Sequence, residues 1–271
     1  MVFNNYGWGF HGYATKGSLS GMHIEGNVAF DNGSPSTEDS HPNLLVGGNT
    51  PAERIAVVDN YFYRGSVDLH YTNRNNRDLV FSRNRVFGAT EIHYWQSLQV
   101  TDNTFYFGRS PIIGFVYSPN QATAYVWNKN TYYNWGQRMP FDITGETFYG
   151  FEEWKKRTGF DRDSAFFTSE PKGTEVFVRG NRYEAGRGHI FVFNWDKRTA
   201  VEVDVSGLLK IGDNFEVRNA KDFFGTPVVR AKYDGKPLLL PLAGLRVAGP
   251  LGGSKTPRED PQFSAFVVLP L

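Results

Sequence analysis

A short pattern of alternating apolar residues that ends in asparagine recurs six times along this 271-residue chain. Each copy has apolar residues five and three positions before the asparagine and an apolar or aromatic pair shortly after it. The asparagines are Asn27, Asn60, Asn84, Asn103, Asn130 and Asn181. They are separated by 33, 24, 19, 27 and 51 residues. Intervals of about 20 to 30 residues are typical of one coil in a solenoid of stacked strands.

The position of asparagine within each copy predicts how the coils stack. In the third copy Leu79 and Phe81 precede Asn84, and side chains two positions apart lie on the same face of a strand. We expect this face to form the interior and the asparagines to stack at a turn, where side-chain amides bond from coil to coil. A β-sandwich with asparagine-rich turns is the alternative, but hairpin strands would not place asparagine at one phase six times.

The second half of the chain changes in character. Residues 149–160 predict a short helix, because acidic residues come first, basic residues follow and Gly159 can end it. Beyond residue 186 strands continue without the asparagine column, as in 189–195 and 200–205. We predict an all-β chain: a right-handed parallel β-helix over residues 1–185, with one inserted helix, and an antiparallel, β-sandwich-like capping domain over residues 186–271.

Charge and composition limit the classes of partner. The net charge is +1, so no general attraction to nucleic acid or to an anionic membrane is expected. No apolar run reaches the length of a membrane span, and the N-terminus does not have the pattern of a signal peptide. Residues 3–5 resemble 30–32, so we expect the chain to begin inside a coil. The absence of cysteine excludes disulfides and thiolate chemistry.

Two neighbouring coils carry matching acid–histidine segments. Asp68 and His70 flank Leu69, and Glu91 and His93 lie 23 residues further on in the same arrangement. If the intervening aliphatic residues point inward, the four polar side chains point outward on strands roughly 4.8 Å apart. Close carboxylates raise one another's pKa, which suits an acid/base pair, and a separation of about 5 Å is that of a retaining glycosidase. The alternatives are a divalent metal site, for example calcium, or a structural charge ladder.

Loop and strand residues around these segments are candidates for substrate binding. Histidine, tyrosine and tryptophan can stack on sugar rings, and arginine can hold a uronate carboxylate. The candidates for binding are His11, Tyr13, Asp39, His41, Arg74 and Trp95.

Three further residues are expected to have structural positions. We expect Tyr71 and Tyr94 to point inward, and Asp161 to cap or solvate the exit of the helix.

The chain resembles a known class of solenoid proteins in architecture. The repeat, the segment Phe-Glu-Glu-Trp at 151–154 with Thr-Gly-Phe-Asp at 158–161, and Phe-Asn-Trp-Asp-Lys at 193–197 are similar to bacterial right-handed β-helix proteins of the pectate-lyase-like superfold. This resemblance implies activity on carbohydrate and an extracellular or periplasmic location. It does not select one activity, because the polygalacturonase pair Asn-Thr-Asp and Gly-His-Gly and the Asp-Pro-His-Glu of alginate epimerases are both missing.

The leading hypothesis is a carbohydrate-active enzyme that cleaves a polysaccharide in a groove on the outer face, by hydrolysis or β-elimination. Asp68 and Glu91 would serve as acid and as base or nucleophile, with His70 and His93 tuning or replacing them. A non-catalytic glycan-binding or surface-attachment module is the second hypothesis. An inactive solenoid fragment that needs further coils is the third. No prediction is made for the sugar, the linkage, the metal or the oligomeric state.

Overall fold

The protein is described by a computed structural model that covers most of the chain. Strands account for 48% of it and helices for 4%, which places it in the all-β class. The chain divides into two compact units, Met1–Glu170 and Pro171–Leu271. The described residues are 1–33, 41–107, 111–119, 124–136, 138–143, 145, 147–249 and 259–271.

Three sheets build the first unit, and their neighbouring strands run parallel except at one edge. Sheet one contains Val2–Phe3, Val28–Phe30, Tyr61–Tyr63, Arg85–Phe87, Thr104–Tyr106, Thr131–Tyr133 and Ala165–Phe167. Sheet two contains Leu19–Ser20, His23–Glu25, Ala52–Val58, Arg77–Ser82, Ser97–Thr101 and Ala124–Asn128. Sheet three contains Phe10–Ala14, Leu44–Gly48, Val67–Leu69, Thr90–His93, Ile113–Val116, Phe141–Ile143 and the antiparallel Thr147–Tyr149.

The chain visits the three sheets in a constant order. Between Ala52 and Ile143 it passes through sheet two, sheet one and sheet three four times in succession. Each pass adds one strand beside the strand of the previous pass. The copies of the asparagine pattern that begin at Ile55, Leu79 and Leu98 therefore pair in register, as predicted.

The asparagine side chains form a continuous hydrogen-bonded column at the corner between sheets two and one. The side-chain oxygen of Asn84 accepts the backbone N–H of Asn60 at 2.9 Å and its side-chain amide at 3.1 Å. The same pair of bonds joins Asn27 to Asn60, Asn84 to Asn103 and Asn103 to Asn130. The residue before each asparagine has a positive φ, which turns the chain: Gly26, Asp59, Arg83, Asp102 and Lys129.

A buried aspartate ends this column. Asp161 is 0% exposed and accepts the side-chain N–H of Asn130 at 3.2 Å. It also accepts hydrogen bonds from the hydroxyl of Tyr132, the indole of Trp154 and the hydroxyl of Ser164. The expectation that Asp161 caps or solvates the helix exit is wrong, because its carboxylate is buried and accepts hydrogen bonds from four side chains.

The predicted helix is confirmed as Phe151–Thr158. It ends at Gly159, which adopts the left-handed conformation (φ 73°) and donates its N–H to the carbonyl of Lys155. Trp154 is the buried residue of the helix and packs into the core of the first unit. The helix therefore attaches to the sheets through Trp154, with its hydrogen bond to Asp161, and through Phe151, which packs on Phe141 and Phe166.

Two antiparallel sheets form the second unit. The larger contains, in spatial order, Thr174–Gly180, Gly188–Asn194, Phe263–Pro270, Asn214–Asn219 and Val229–Lys232. The smaller pairs Ala200–Val203 with Leu238–Pro241, and a short 3-10 helix spans Ala220–Asp222. The second unit has its own core, which contains the fully buried residues Ile190, Val192 and Phe266.

The sixth copy of the asparagine pattern does not join the column. Its strand, Thr174–Gly180, pairs antiparallel with Gly188–Asn194. The side-chain oxygen of Asn181 accepts the backbone N–H groups of Tyr183 and Glu184, so this asparagine opens a hairpin turn. The expectation of a sixth rung is wrong, because alternating apolar residues before an asparagine are equally typical of a hairpin. The predicted boundary after residue 185 would separate these two paired strands.

Candidate functional site

One row of residues runs straight across the outward face of sheet three. Val67, Leu69, Thr90 and Ile92 are 0% exposed, so the residues between them point away from the core. This arrangement brings Asp68 and Glu91 side by side on adjacent strands, as predicted. In register across the sheet the row contains His11, Leu45, Asp68, Glu91, Gly114 and Asp142.

The two predicted histidines also meet. The imidazole rings of His70 and His93 stack with their centroids 4.0 Å apart. The Nε2 atom of His93 hydrogen-bonds to Oε2 of Glu91 at 3.0 Å. We name Asp68, His70, Glu91 and His93 the acid–histidine patch. The structure places these four side chains together, and their catalytic role stays a prediction.

The Glu91 carboxylate leans toward the next strand and lies over Gly114. A Cβ atom built on Gly114 would be 1.8 Å from Oε2 of Glu91, so only glycine leaves room for this carboxylate. Gly114 is two strand spacings from Asp68, or roughly 9.6 Å along the sheet. The Glu91 carboxylate therefore leans toward the strand opposite to that of Asp68, and the separation of about 5 Å between the two carboxylates stays a prediction.

Burial shifts the protonation of two patch residues in opposite directions. Desolvation raises the pKa of Asp68 to about 6, with a contribution from the charge of Glu91. Desolvation lowers the pKa of His70 to about 4, helped by neighbouring His93. In both cases the low-dielectric surroundings disfavour the charged form. Between these two pKa values the patch holds a protonated aspartate beside a neutral histidine.

Asp142 extends the acidic row and was missed by the sequence analysis. It is 8% exposed, and its Oδ1 accepts the N–H of Gly145 at 3.1 Å. Burial and then the charge of Glu91 raise its pKa. The signal in the sequence is an acid between two apolar residues, Phe141 and Ile143, which repeats the arrangement around Asp68.

Aromatic rings lie along the same face, beside the first strands of sheet three. The indole of Trp8 stacks on His11 with centroids 4.4 Å apart and contacts His41 at 4.6 Å. Tyr13 follows, 5.3 Å from His11 and 5.0 Å from Tyr71. We name these five residues the aromatic row. It brings His11, Tyr13 and His41 together, as their assignment to one binding surface requires.

Three aromatic residues differ from expectation. Trp95 is 0% exposed, and its indole donates to the carbonyl of Leu69 at 2.7 Å. It is a core residue and cannot stack on a sugar at the surface, so this candidate is wrong. Tyr71 is 44% exposed rather than inward, because its strand ends at Leu69 and the alternation stops there. Tyr94 has a positive φ of 64°, which also interrupts the alternation.

The two remaining candidates have different outcomes. Arg74 is exposed, and its guanidinium lies 5.2 Å from the centre of the Tyr94 ring. It therefore keeps its hydrogen-bond donors at the surface near the patch. Asp39 lies outside the described residues.

The patch contains groups that are metal ligands in many proteins. Within the ranges that the structure describes, no group of three or more histidine, aspartate and glutamate side chains is arranged to hold a metal ion. The contacts seen instead are internal ones, between Glu91 and His93 and between His93 and His70.

Comparisons with known proteins do not assign a function. No protein-family model, curated protein or solved structure matches this chain. None of the helices in the described part is long and apolar enough to cross a bilayer. The function must therefore be argued from the chemistry of the site.

Proposed function

We propose that this chain is a carbohydrate-active enzyme that hydrolyses a polysaccharide on the outward face of sheet three. The observation that carries the proposal is the in-register pair of Asp68 and Glu91, in which burial raises the pKa of Asp68 to about 6. A carboxyl group that keeps its proton up to about pH 6 can act as a general acid, and a second carboxylate nearby can act as the base.

The proposal includes the architecture of the first unit as a right-handed parallel β-helix. The repeated passage through the three sheets in one order supports it. The outer face of a solenoid sheet is a long, shallow surface that fits an extended polymer. An extracellular or periplasmic location, where such polymers occur, belongs to the same proposal.

The reaction follows from the two carboxyl groups. Asp68 donates its proton to the glycosidic oxygen while the bond from that oxygen to the anomeric carbon breaks. Glu91 accepts a proton from water, and the oxygen of that water forms the new bond to the anomeric carbon. His93, bonded to Glu91, orients the carboxylate. Because the Glu91 carboxylate leans away over Gly114, we expect room for this water between the two carboxyl groups and therefore inversion at the anomeric carbon.

Sugar binding is assigned to the aromatic row and to Arg74. Trp8 is 37% and Tyr71 is 44% exposed, so both offer ring surface to solvent. Such rings can pack against the apolar faces of sugars, burying area that favours binding. Arg74 can pair with the carboxylate of a uronic acid in two parallel hydrogen bonds. This arrangement favours a neutral or acidic polysaccharide that extends across the strands of sheet three.

The test is a polysaccharide panel assayed for reducing ends and for ultraviolet absorbance. Hydrolysis predicts reducing ends without the absorbance of unsaturated products, whereas absorbing products would indicate β-elimination. We expect Asp68→Asn and Glu91→Gln each to lower kcat by about 10²–10⁴-fold, because each removes one proton-transfer group. Glu25→Gln is the matched control, since Glu25 lies 3.4 Å from His23 in the same spacing on sheet two. Full activity in both patch variants would refute the assignment.

A non-catalytic glycan-binding module is the second candidate, and the aromatic row favours it. Ring stacking alone would give affinity without turnover. This alternative predicts binding on a glycan array that Trp8→Ala weakens and Glu91→Gln leaves unchanged. The enzyme proposal instead predicts that Glu91→Gln still binds the polysaccharide but no longer releases reducing ends.

A further inference from the structure

The acidic row of sheet three continues beyond the acid–histidine patch. Glu91, Gly114 and Asp142 occupy the same register position on three adjacent strands. The middle position has no side chain, and the carboxylate of Glu91 fills that space. Glu91 is thereby directed toward Asp142, whose side chain lies next along the row.

Asp142 is held firmly on its own strand. It is 8% exposed and is fixed by the N–H of Gly145. The charged or titratable groups that act on it are Glu91 and His93, in addition to the backbone N–H groups of Gly145 and Thr147. Asp142 therefore lies along the row on the side of Glu91 opposite to Asp68.

We infer that Gly114 and Asp142 are positioning residues of the site. Gly114 provides the space that the Glu91 carboxylate fills. Asp142 is the acidic neighbour of Glu91 and affects the reaction through it. This inference rests on the proposed function and deepens it. The site then has three carboxyl groups in line, with Glu91 between Asp68 and Asp142. In this arrangement the orientation of Glu91 is set by a missing side chain on the neighbouring strand.

The protonation of Asp142 agrees with this geometry. Burial raises its pKa, and the negative charge of Glu91 raises it further. The charge of Glu91 also raises the pKa of Asp68. Like charges at close range disfavour simultaneous ionisation. Moving the Glu91 carboxylate should therefore change the titration of both aspartates, in directions that depend on where it goes.

The experiment is a carbon-13 NMR titration of the aspartate carboxyl groups in the full chain, with signals assigned from Asp68→Asn and Asp142→Asn. Gly114→Ala places a methyl group where the Glu91 carboxylate lies, and the clash is with the end of a flexible side chain, so the fold is retained. We expect Gly114→Ala to lower the pKa of Asp142 and to raise that of Asp68, because the added methyl group moves the Glu91 carboxylate away from Asp142 and back toward Asp68. Glu91→Gln should lower both. Gly207→Ala, with no atom within 4 Å of its added Cβ, is the control and should change neither.

Measurements of enzyme turnover provide an independent test of the role of Asp142. On the substrate found by the panel, Asp142→Asn should lower kcat at least tenfold and shift the pH profile, with KM little changed. Asp102→Asn, an exposed aspartate outside the site, is the control. An Asp142 titration that is identical in wild type, Gly114→Ala and Glu91→Gln would overturn this inference, even if the protein hydrolyses polysaccharide. Coupled titrations in a protein that cleaves no polysaccharide would instead overturn the proposed function.

Discussion

At the scale of single residues, the site combines two groups whose charged forms are both disfavoured by burial. Asp68 and His70 lie on one face of the same short strand end, and desolvation is the largest cause of the pKa shift in each. Between about pH 4 and pH 6 the aspartate is therefore protonated and the histidine is neutral. This neutral pair beside Glu91 is the chemical basis of the proposed proton donor.

The opposite shifts predict opposite effects on stability. The raised pKa of Asp68 adds stability that is complete below its unfolded value of 3.8 and is lost as pH rises through about 6. The lowered pKa of His70 adds stability that is complete above 6.5 and is lost as pH falls through about 4.

We therefore expect Asp68→Asn to gain stability relative to wild type as pH rises from 4 to 6.5, and His70→Asn to gain it as pH falls over that range. Thermal unfolding of the three proteins at half-unit pH steps measures both slopes. Slopes of the same sign would show that these two groups do not titrate as described. Asp102→Asn, at an exposed position outside the patch, is the control.

At the scale of structural elements, the asparagine column joins each passage of the chain through the three sheets to the next. The side chain of Asn84 is 0% exposed and is hydrogen-bonded to Asn60 on one side and to Asn103 on the other. Its amide also donates to the carbonyl of Val57. A residue at this corner must both donate and accept while buried, and asparagine meets that requirement in a small volume.

Replacing a column asparagine should cost much more than replacing the asparagine that only resembles it. We expect Asn84→Ala to lower the free energy of unfolding by about 2–4 kcal/mol, because buried donors and acceptors lose their partners. Asn181→Ala should cost about 0.5–1 kcal/mol, since this side chain accepts bonds only within a surface turn. Urea unfolding curves measure both. Equal losses of unfolding free energy in the two variants would contradict the distinction between an asparagine of the column and an asparagine of a surface turn.

At the scale of the whole molecule, the chain contains two units with separate cores. The first core is formed by residues of the three parallel sheets, and the second by residues of the antiparallel sheets beyond Pro171. Thr174–Gly180 belongs to the second unit through its antiparallel pairing with Gly188–Asn194. The strand is thus part of the sheet that follows it in the chain.

This pairing predicts which fragment folds. We expect residues 171–271 to give a monomer that unfolds cooperatively, because the fragment keeps every strand of its larger sheet. Residues 186–271 should aggregate, since the loss of Thr174–Gly180 leaves the apolar strand Gly188–Asn194 as an open edge. Circular dichroism and size-exclusion chromatography compare the two fragments. Cooperative folding of the shorter one would contradict the structural boundary.

The sequence determined the local and periodic features of this protein. Alternation and the recurring asparagine predicted the inward columns, the stacked corner and the adjacency of Asp68 with Glu91, because each depends only on strand period and coil length. The helix at Phe151–Thr158 followed from its charge pattern and Gly159. These features were readable because the residues responsible lie close together in the chain or repeat regularly along it.

The tertiary structure decided what depends on distant neighbours. It buried Trp95 against Leu69, exposed Tyr71, made Asp161 the end of the asparagine column, and assigned Asn181 to a hairpin. It also directed Glu91 over Gly114. Each outcome depends on the side chains of the segments that pack beside the residue. The sequence pattern of a single strand does not specify which segments these are.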